Sequence, residues 1–205
     1  EGVVFYNQIK MKENNKDIRA FIAVSLPDVV KQYLSFLQKK LLNSGIKASF
    51  PKPASLHLTL KFLGNISKTD ISNIESCMEK AVMGIAVHNL SASGIGVFPS
   101  VKNVRVIWAG LSGRTDFTEK LATQLESSLF EEMNIQKEAK LFRPHLTLAR
   151  VKGKIPPKTA AQLIKEFSTV TGPEFSVFGI SLFQSELAPS GAVHKKIAFV
   201  PLNHG

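Results

Sequence analysis

Residues 19–26 (RAFIAVSL) are rich in β-branched and aromatic side chains and stop at Pro27, the pattern of a buried strand. Beyond Pro27, which suits the first turn of a helix, Val29, Val30, Tyr33, Leu34, Leu37 and Leu41 recur at helical spacing as far as Asn43-Ser44-Gly45. Residues 56–63 (LHLTLKFL) alternate apolar and polar, which predicts a half-buried strand. Residues 70–83 read as an amphipathic helix and 90–97 as a strand. The order then returns. Residues 104–109 (VRVIWA) read as a strand, and 115–133 as a helix with Phe117, Leu121, Leu125 and Leu129 on one stripe. A strand over 142–149 and a short helix over 158–167 follow. Strands over 175–183 and 193–200, joined by a turn through Pro189-Ser190-Gly191, close the pattern.

Each half thus reads strand, helix, strand, helix, strand, and the tetrapeptide HLTL occurs once per half, with His57 and His145 88 residues apart. The expected architecture is α+β: two similar lobes of mostly antiparallel sheet facing each other, with helices on the outer faces. No linker separates the lobes, so residues 17–205 are expected to form one bilobal domain. Residues 1–16 are polar and irregular and are expected to lie outside it as a tail, with Met11 as a candidate natural start.

Composition narrows the class. A hydrophobic fraction of 44% excludes general disorder, and no run approaches the roughly 18–20 apolar residues of a membrane helix. The first ten residues lack the basic and apolar regions of a secretory leader. The single cysteine, Cys77, excludes an internal disulfide and a cysteine-based metal knuckle; on the apolar stripe of its helix it reads as packing. The expected compartment is the cytoplasm. Lys and Arg total 26 against 16 Asp and Glu, a formal net charge of +10, which calls for an anionic partner. Two acid-free stretches, 29–69 and 139–165, carry seven bases each; the rest of the chain is slightly acidic. Each stretch contains one HLTL, so the expectation is that these bases wall a single cleft.

On a strand, residues two apart share a face. His57 and Thr59 therefore project together while Leu58 and Leu60 turn to the core, and His145, Thr147, Leu146 and Leu148 repeat the arrangement. Packing requires only the leucines. Two imidazoles suit a general base and a general acid near neutral pH. Two hydroxyls suit the non-bridging oxygens of a phosphate, and neighbouring cations offset charge developing on it. No metal or cofactor is required. His57, His145 and His194 could be assembled on paper into a three-histidine metal site; hydroxyls two residues from each motif histidine argue instead for phosphate. His88 and His204 lack companion motifs and read as surface or loop residues. Trp108, in an apolar strand, reads as core.

The twin motifs resemble those of the 2H phosphoesterase superfamily. The similarity to the RNA 2′,3′-cyclic phosphodiesterases, also called 2′-5′ RNA ligases, runs from about residue 19 to 202 through SLHLTLKFLG, FRPHLTLARVKG and SELAPSGAVHKKIAFVPL. This resemblance implies a bilobal fold with a central cleft, and metal-independent hydrolysis of an RNA-terminal 2′,3′-cyclic phosphate to a 2′-phosphate, with weak reverse 2′-5′ ligation. It implies His57 as general acid, His145 as general base, and Thr59 and Thr147 on the phosphate oxygens. Phe62 matches a position that stacks on the terminal base, and Arg150 one that contacts the phosphate. On regular strands both would point away from their histidines, so each reaches the cleft only where the strand ends, bulges or twists. The family usually carries an aromatic residue at the position of His194. The implied partner is RNA with a 2′,3′-cyclic phosphate end, tRNA fragments included; nothing points to a membrane or a protein partner. Two other readings stay open: a non-catalytic RNA-end binding module, and an esterase acting on another small nucleotide such as a 2′-5′ oligoadenylate.

Overall fold

The computed structural model describes residues 17–188 and 191–203. The expected tail over residues 1–16, Met11, His204 and the first two residues of the expected Pro189-Ser190-Gly191 turn lie outside the described residues. In chain order the elements are β1 (Ile18–Ser25), α1 (Asp28–Asn43), β2 (Ala48–Ser49), β3 (His57–Ile66), α2 (Ile71–Ala81), β4 (His88–Ser100), β5 (Asn103–Gly113), α3 (Thr115–Met133), β6 (Leu146–Val151), α4 (Pro157–Glu166), β7 (Thr171–Val177), β8 (Gly179–Ala188) and β9 (Gly191–Pro201). Two antiparallel sheets result, one ordered β3-β1-β8-β9 and the other β2-β6-β5-β4-β7. The α+β architecture is as the pattern predicts.

The sheets do not follow the halves of the chain. β4, from the first half, sits in the five-stranded sheet, and β8 and β9, from the second half, complete the sheet of β1 and β3. Helix α1 packs on β7 and β6 of the five-stranded sheet, whereas α2 packs against α3 and β9. The apolar run over 175–183, expected as one strand, is divided at Phe178. The chain leaves β7 there and enters β8 in the other sheet, and the Phe178 carbonyl accepts from the Leu202 amide at 2.8 Å. An unbroken apolar run satisfies a strand in either sheet, so hydropathy could not mark the crossing. The strand expected over 142–149 begins only at Leu146, because residues 141–145 run across the mouth of the cleft without regular pairing.

One hydrophobic cluster joins both sheets, with Ile22, Leu58 and Leu182 from one and Leu148, Ile107 and Val177 from the other. Cys77 is part of it and fully buried. Among the described residues no helix is long and apolar enough to cross a membrane.

Candidate active site

Strands β3 and β6, one from each sheet, lie against each other; β3 carries the whole first HLTL motif, and β6 carries the second from Leu146 onward, with His145 one residue ahead of the strand. Between them opens a cavity of about 1260 Å³, lined by His57, Thr59, His145 and Thr147 together with Phe62 and Arg150. Leu58 and Leu146 are 0% and 1% exposed, so the alternation that buries the leucines is what turns each histidine and threonine into the cleft.

Phe62 and Arg150 reach the same faces through a matched irregularity. Thr59 stands opposite Ala23 and Lys61 opposite Ile22, so Leu60 is an extra residue in β3. Thr147 stands opposite Trp108 and Ala149 opposite Ile107, so Leu148 is extra in β6. Each bulge reverses the parity after the motif. Phe62 emerges beside His57 and Thr59, exposed, with its ring 6.1 Å from Phe21; Arg150 emerges beside Thr147, also exposed. The Leu148 carbonyl left at the second bulge accepts from Nε2 of Gln38, a buried residue on the apolar stripe of α1 that also donates to the Pro51 carbonyl, both at 3.0 Å.

The two imidazoles are held alike. His57 Nδ1 lies 2.8 Å from the Ser55 carbonyl, and His145 Nδ1 lies 2.7 Å from the Arg143 carbonyl. A carbonyl only accepts, so in each neutral ring Nδ1 carries the proton and Nε2 the lone pair. Rings crowd the first histidine: Phe21 stacks on it at 4.6 Å, and His194 meets it edge-on at 5.3 Å. The second is flanked edge-on by Phe98 at 5.1 Å and Trp108 at 6.1 Å. Burial pushes His57 down to about 4, with charge on His194 and Arg150 adding to the effect. Burial also lowers His145, again with Arg150 contributing, and it lowers His194. His194 Nδ1 is buried without a hydrogen-bond partner among the described residues.

A family model described as LigT-like phosphoesterase matches residues 24–108 and 117–194, which include both motifs. The chain belongs to that family. It is 33% identical over 177 residues to an RNA 2′,3′-cyclic phosphodiesterase of Methanothermobacter thermautotrophicus, across 86% of this chain and 95% of that protein. It is 30% identical to an RNA 2′,3′-cyclic phosphodiesterase of Archaeoglobus fulgidus, across 88% and 98%. Among solved structures, a Thermus thermophilus protein superposes with a TM-score of 0.74 at 28% identity, covering 91% of this chain and 99% of that one. E. coli LigT, in a complex with 3′-AMP, also reaches 0.74, over 92% and 100%, and at 19% identity it shows the shared fold.

The structure corrects three expectations. His88 is 5% exposed, not at the surface: its Nδ1 donates to the Ala86 carbonyl at 2.9 Å and its Nε2 accepts from Thr118 Oγ1 at 3.0 Å, which satisfies both nitrogens. Trp108 is not plain core; half-buried, it packs on Gly96 on the cleft side of β5 next to His145, where a Cβ on Gly96 would fall 2.2 Å from the indole. The two basic stretches do not wall the cleft as whole segments. Of their fourteen bases only Lys52, Lys61, Lys140, Arg143 and Arg150 line it. Lys61 is buried within the β3 bulge, its Nζ 2.8 Å from Glu126 Oε1, so it offers no free charge. In exchange the cavity gains Arg19 and Arg105 from β1 and β5, outside both stretches. Arg19 and Phe21 alternate on β1, a period-two signal that was present in RAFIAVSL beneath its overall apolar character. Among the described residues, no group of three or more His, Cys, Asp or Glu is placed to hold a metal ion.

Proposed function

We propose that this chain hydrolyses the 2′,3′-cyclic phosphate at an RNA terminus to a 2′-phosphate without a metal ion. The observation that carries the reading is the matched pair: two imidazoles, each locked through Nδ1, opening with a threonine hydroxyl apiece onto one cavity. The curated relatives, both RNA 2′,3′-cyclic phosphodiesterases by name, point the same way. In the proposed step His145 Nε2 takes a proton from water as its oxygen bonds to phosphorus. The bond from phosphorus to O3′ breaks, and His57 delivers its Nε2 proton to the departing O3′. Thr59 and Thr147 donate to the non-bridging oxygens, and Arg150 offsets their charge. Phe62 offers its exposed face to the terminal base. The same acid and base, exchanging roles, run the reverse 2′-5′ joining when a ribose hydroxyl replaces water. The lone, buried thiol of Cys77 fits a reducing, cytoplasmic setting, and fragments of tRNA bearing cyclic ends are suitable substrates.

The test is turnover of a short RNA ending in a 2′,3′-cyclic phosphate with excess chelator present, followed by identification of the product. A 2′-phosphate is expected. A 3′-phosphate would show that O2′ leaves and would reverse the two histidines; loss of turnover with chelator would overturn the metal-independent mechanism. Binding without turnover would favour the RNA-end binding module.

The pH dependence follows from the shifts. In the free cleft both histidines lie below their ordinary value of 6.5, His57 near 4. A pair needing one protonated and one neutral ring is best populated between its two values, so kcat/KM should peak on the acid side of about pH 6.5 and fall as pH rises. A bound phosphodiester anion favours both imidazolium forms, so the kcat profile should sit at higher pH than that of kcat/KM. His194→Phe removes one of the charges that hold His57 down and should move the kcat/KM profile upward in pH. A kcat/KM maximum above about pH 7, or a profile unmoved by His194→Phe, would contradict this assignment.

A further inference from the structure

The segment between α3 and β6 has a form that the two-histidine chemistry does not require. Its near end is knotted to β3. Lys61 Nζ donates to Glu126 Oε1 and to the Gln136 carbonyl, each at 2.8 Å, and Glu126 Oε1 also accepts the Glu138 amide at 2.9 Å. Its far end is fixed where His145 Nδ1 donates to the Arg143 carbonyl. Between these ties the chain presents Lys140, Leu141, Phe142 and Arg143 to the cavity.

Leu141 is 93% exposed, more than any other large hydrophobic residue described. No acidic partner is recorded for Lys140 or Arg143 among the described residues, and Lys52 faces the same cavity. An exposed apolar tip between cations that have no acidic partner among the described residues offers van der Waals contact to a base and charge to the backbone phosphates on either side of it. The cavity, at about 1260 Å³, exceeds the roughly 300–1,000 Å³ that encloses a ligand of mononucleotide size.

We propose that residues 139–143 form a subsite for the nucleotide preceding the cyclic-phosphate end, held in place by the Lys61–Glu126 knot. This rests on the reading of the cleft as a cyclic phosphodiesterase site. It adds that the site reads a strand end and not an isolated terminal nucleotide. Lys61 acts here as a positioning residue: it touches no substrate, but it ties the subsite of one sheet to the strand that carries His57 in the other. Because both ends of the loop are fixed before RNA arrives, little ordering cost falls on binding.

The experiment compares kcat/KM for a nucleoside 2′,3′-cyclic monophosphate with that for a tetranucleotide ending in the same nucleotide, at fixed salt. Wild type should favour the tetranucleotide by tenfold or more, and the preference should shrink as salt rises. The surface double variant Lys140→Ser/Leu141→Ser should cut the ratio of the two substrates by about tenfold, through KM and not kcat. Lys61→Met should cut the ratio in the same sense, and Lys61→Arg should largely restore it. An unchanged ratio in the double variant, or equal losses on both substrates, overturns the subsite. If wild type turns over the mononucleotide and shows no preference for the strand, the subsite fails while the proposed activity stands. If neither substrate is turned over, both fall.

Discussion

His57→Ala and His145→Ala are each expected to lower kcat on a cyclic-phosphate RNA by about 10²–10⁴-fold, the span that a positioned acid or base contributes. Both substitutions should leave the fold intact, because each ring is only half-buried and hydrogen-bonds just one backbone carbonyl. The double variant should lose little beyond the worse single one, since an acid without its base, or the reverse, no longer completes the proton relay. A leaving group that needs no protonation separates the two roles: a substrate with a good leaving group at the 3′ position should rescue His57→Ala and not His145→Ala. Wild-type turnover in either single variant would remove the two-histidine mechanism.

The largest expected effects on stability come from the same tetrapeptides. Leu58→Ala and Leu146→Ala each empty a fully buried site in the cluster that joins the two sheets, which should cost about 2–5 kcal/mol. Against a typical total of about 5–15 kcal/mol this is a large share. The denaturation midpoint should fall with the slope unchanged. Leu42→Ala, on the exposed side of α1 at 58%, should stay within about 0.5 kcal/mol and serves as the control. A midpoint shift as small as that of Leu42→Ala would mean the motif leucines do not hold the strands in register. The motif is thus two instructions interleaved, one residue in for packing and the next out for chemistry.

Much of the site could be read from LHLTLKFL and PHLTLAR alone. Alternation buries the leucines and turns His57, Thr59 and Thr147 outward, which needs only a strand regular through the motif; His145, one residue before β6, follows the same alternation and is held by the Arg143 carbonyl. Phe62 and Arg150 could not be placed by the same rule, because a bulge is a property of two paired strands and the partner register is not written in either one. Lys61 shows the limit of counting charge along the chain. It belongs to an acid-free stretch, yet the bulge turns it inward to Glu126, 65 residues away. The charge lining the cleft is set by which strands meet there, and Arg19 and Arg105 arrive from β1 and β5, outside both of the seven-base stretches. The exchange of β4 and β8 between sheets was hidden for a related reason: hydropathy specifies that a strand is buried and leaves open beside which neighbour.

That exchange fixes the order in which a working cleft can come into being. β1 carries β3 on one side and β8 on the other, and β8 begins only at Gly179. Until the ribosome has released that segment, the strand with His57 belongs to a two-stranded ribbon, which in water is marginal at best. Both HLTL motifs are synthesised well before the platform under the first of them can close. A nascent chain, or one cut between the repeats, therefore holds the matched chemistry in its sequence with no half-enzyme to show for it, and the duplication seen in the motifs does not extend to independent folding units.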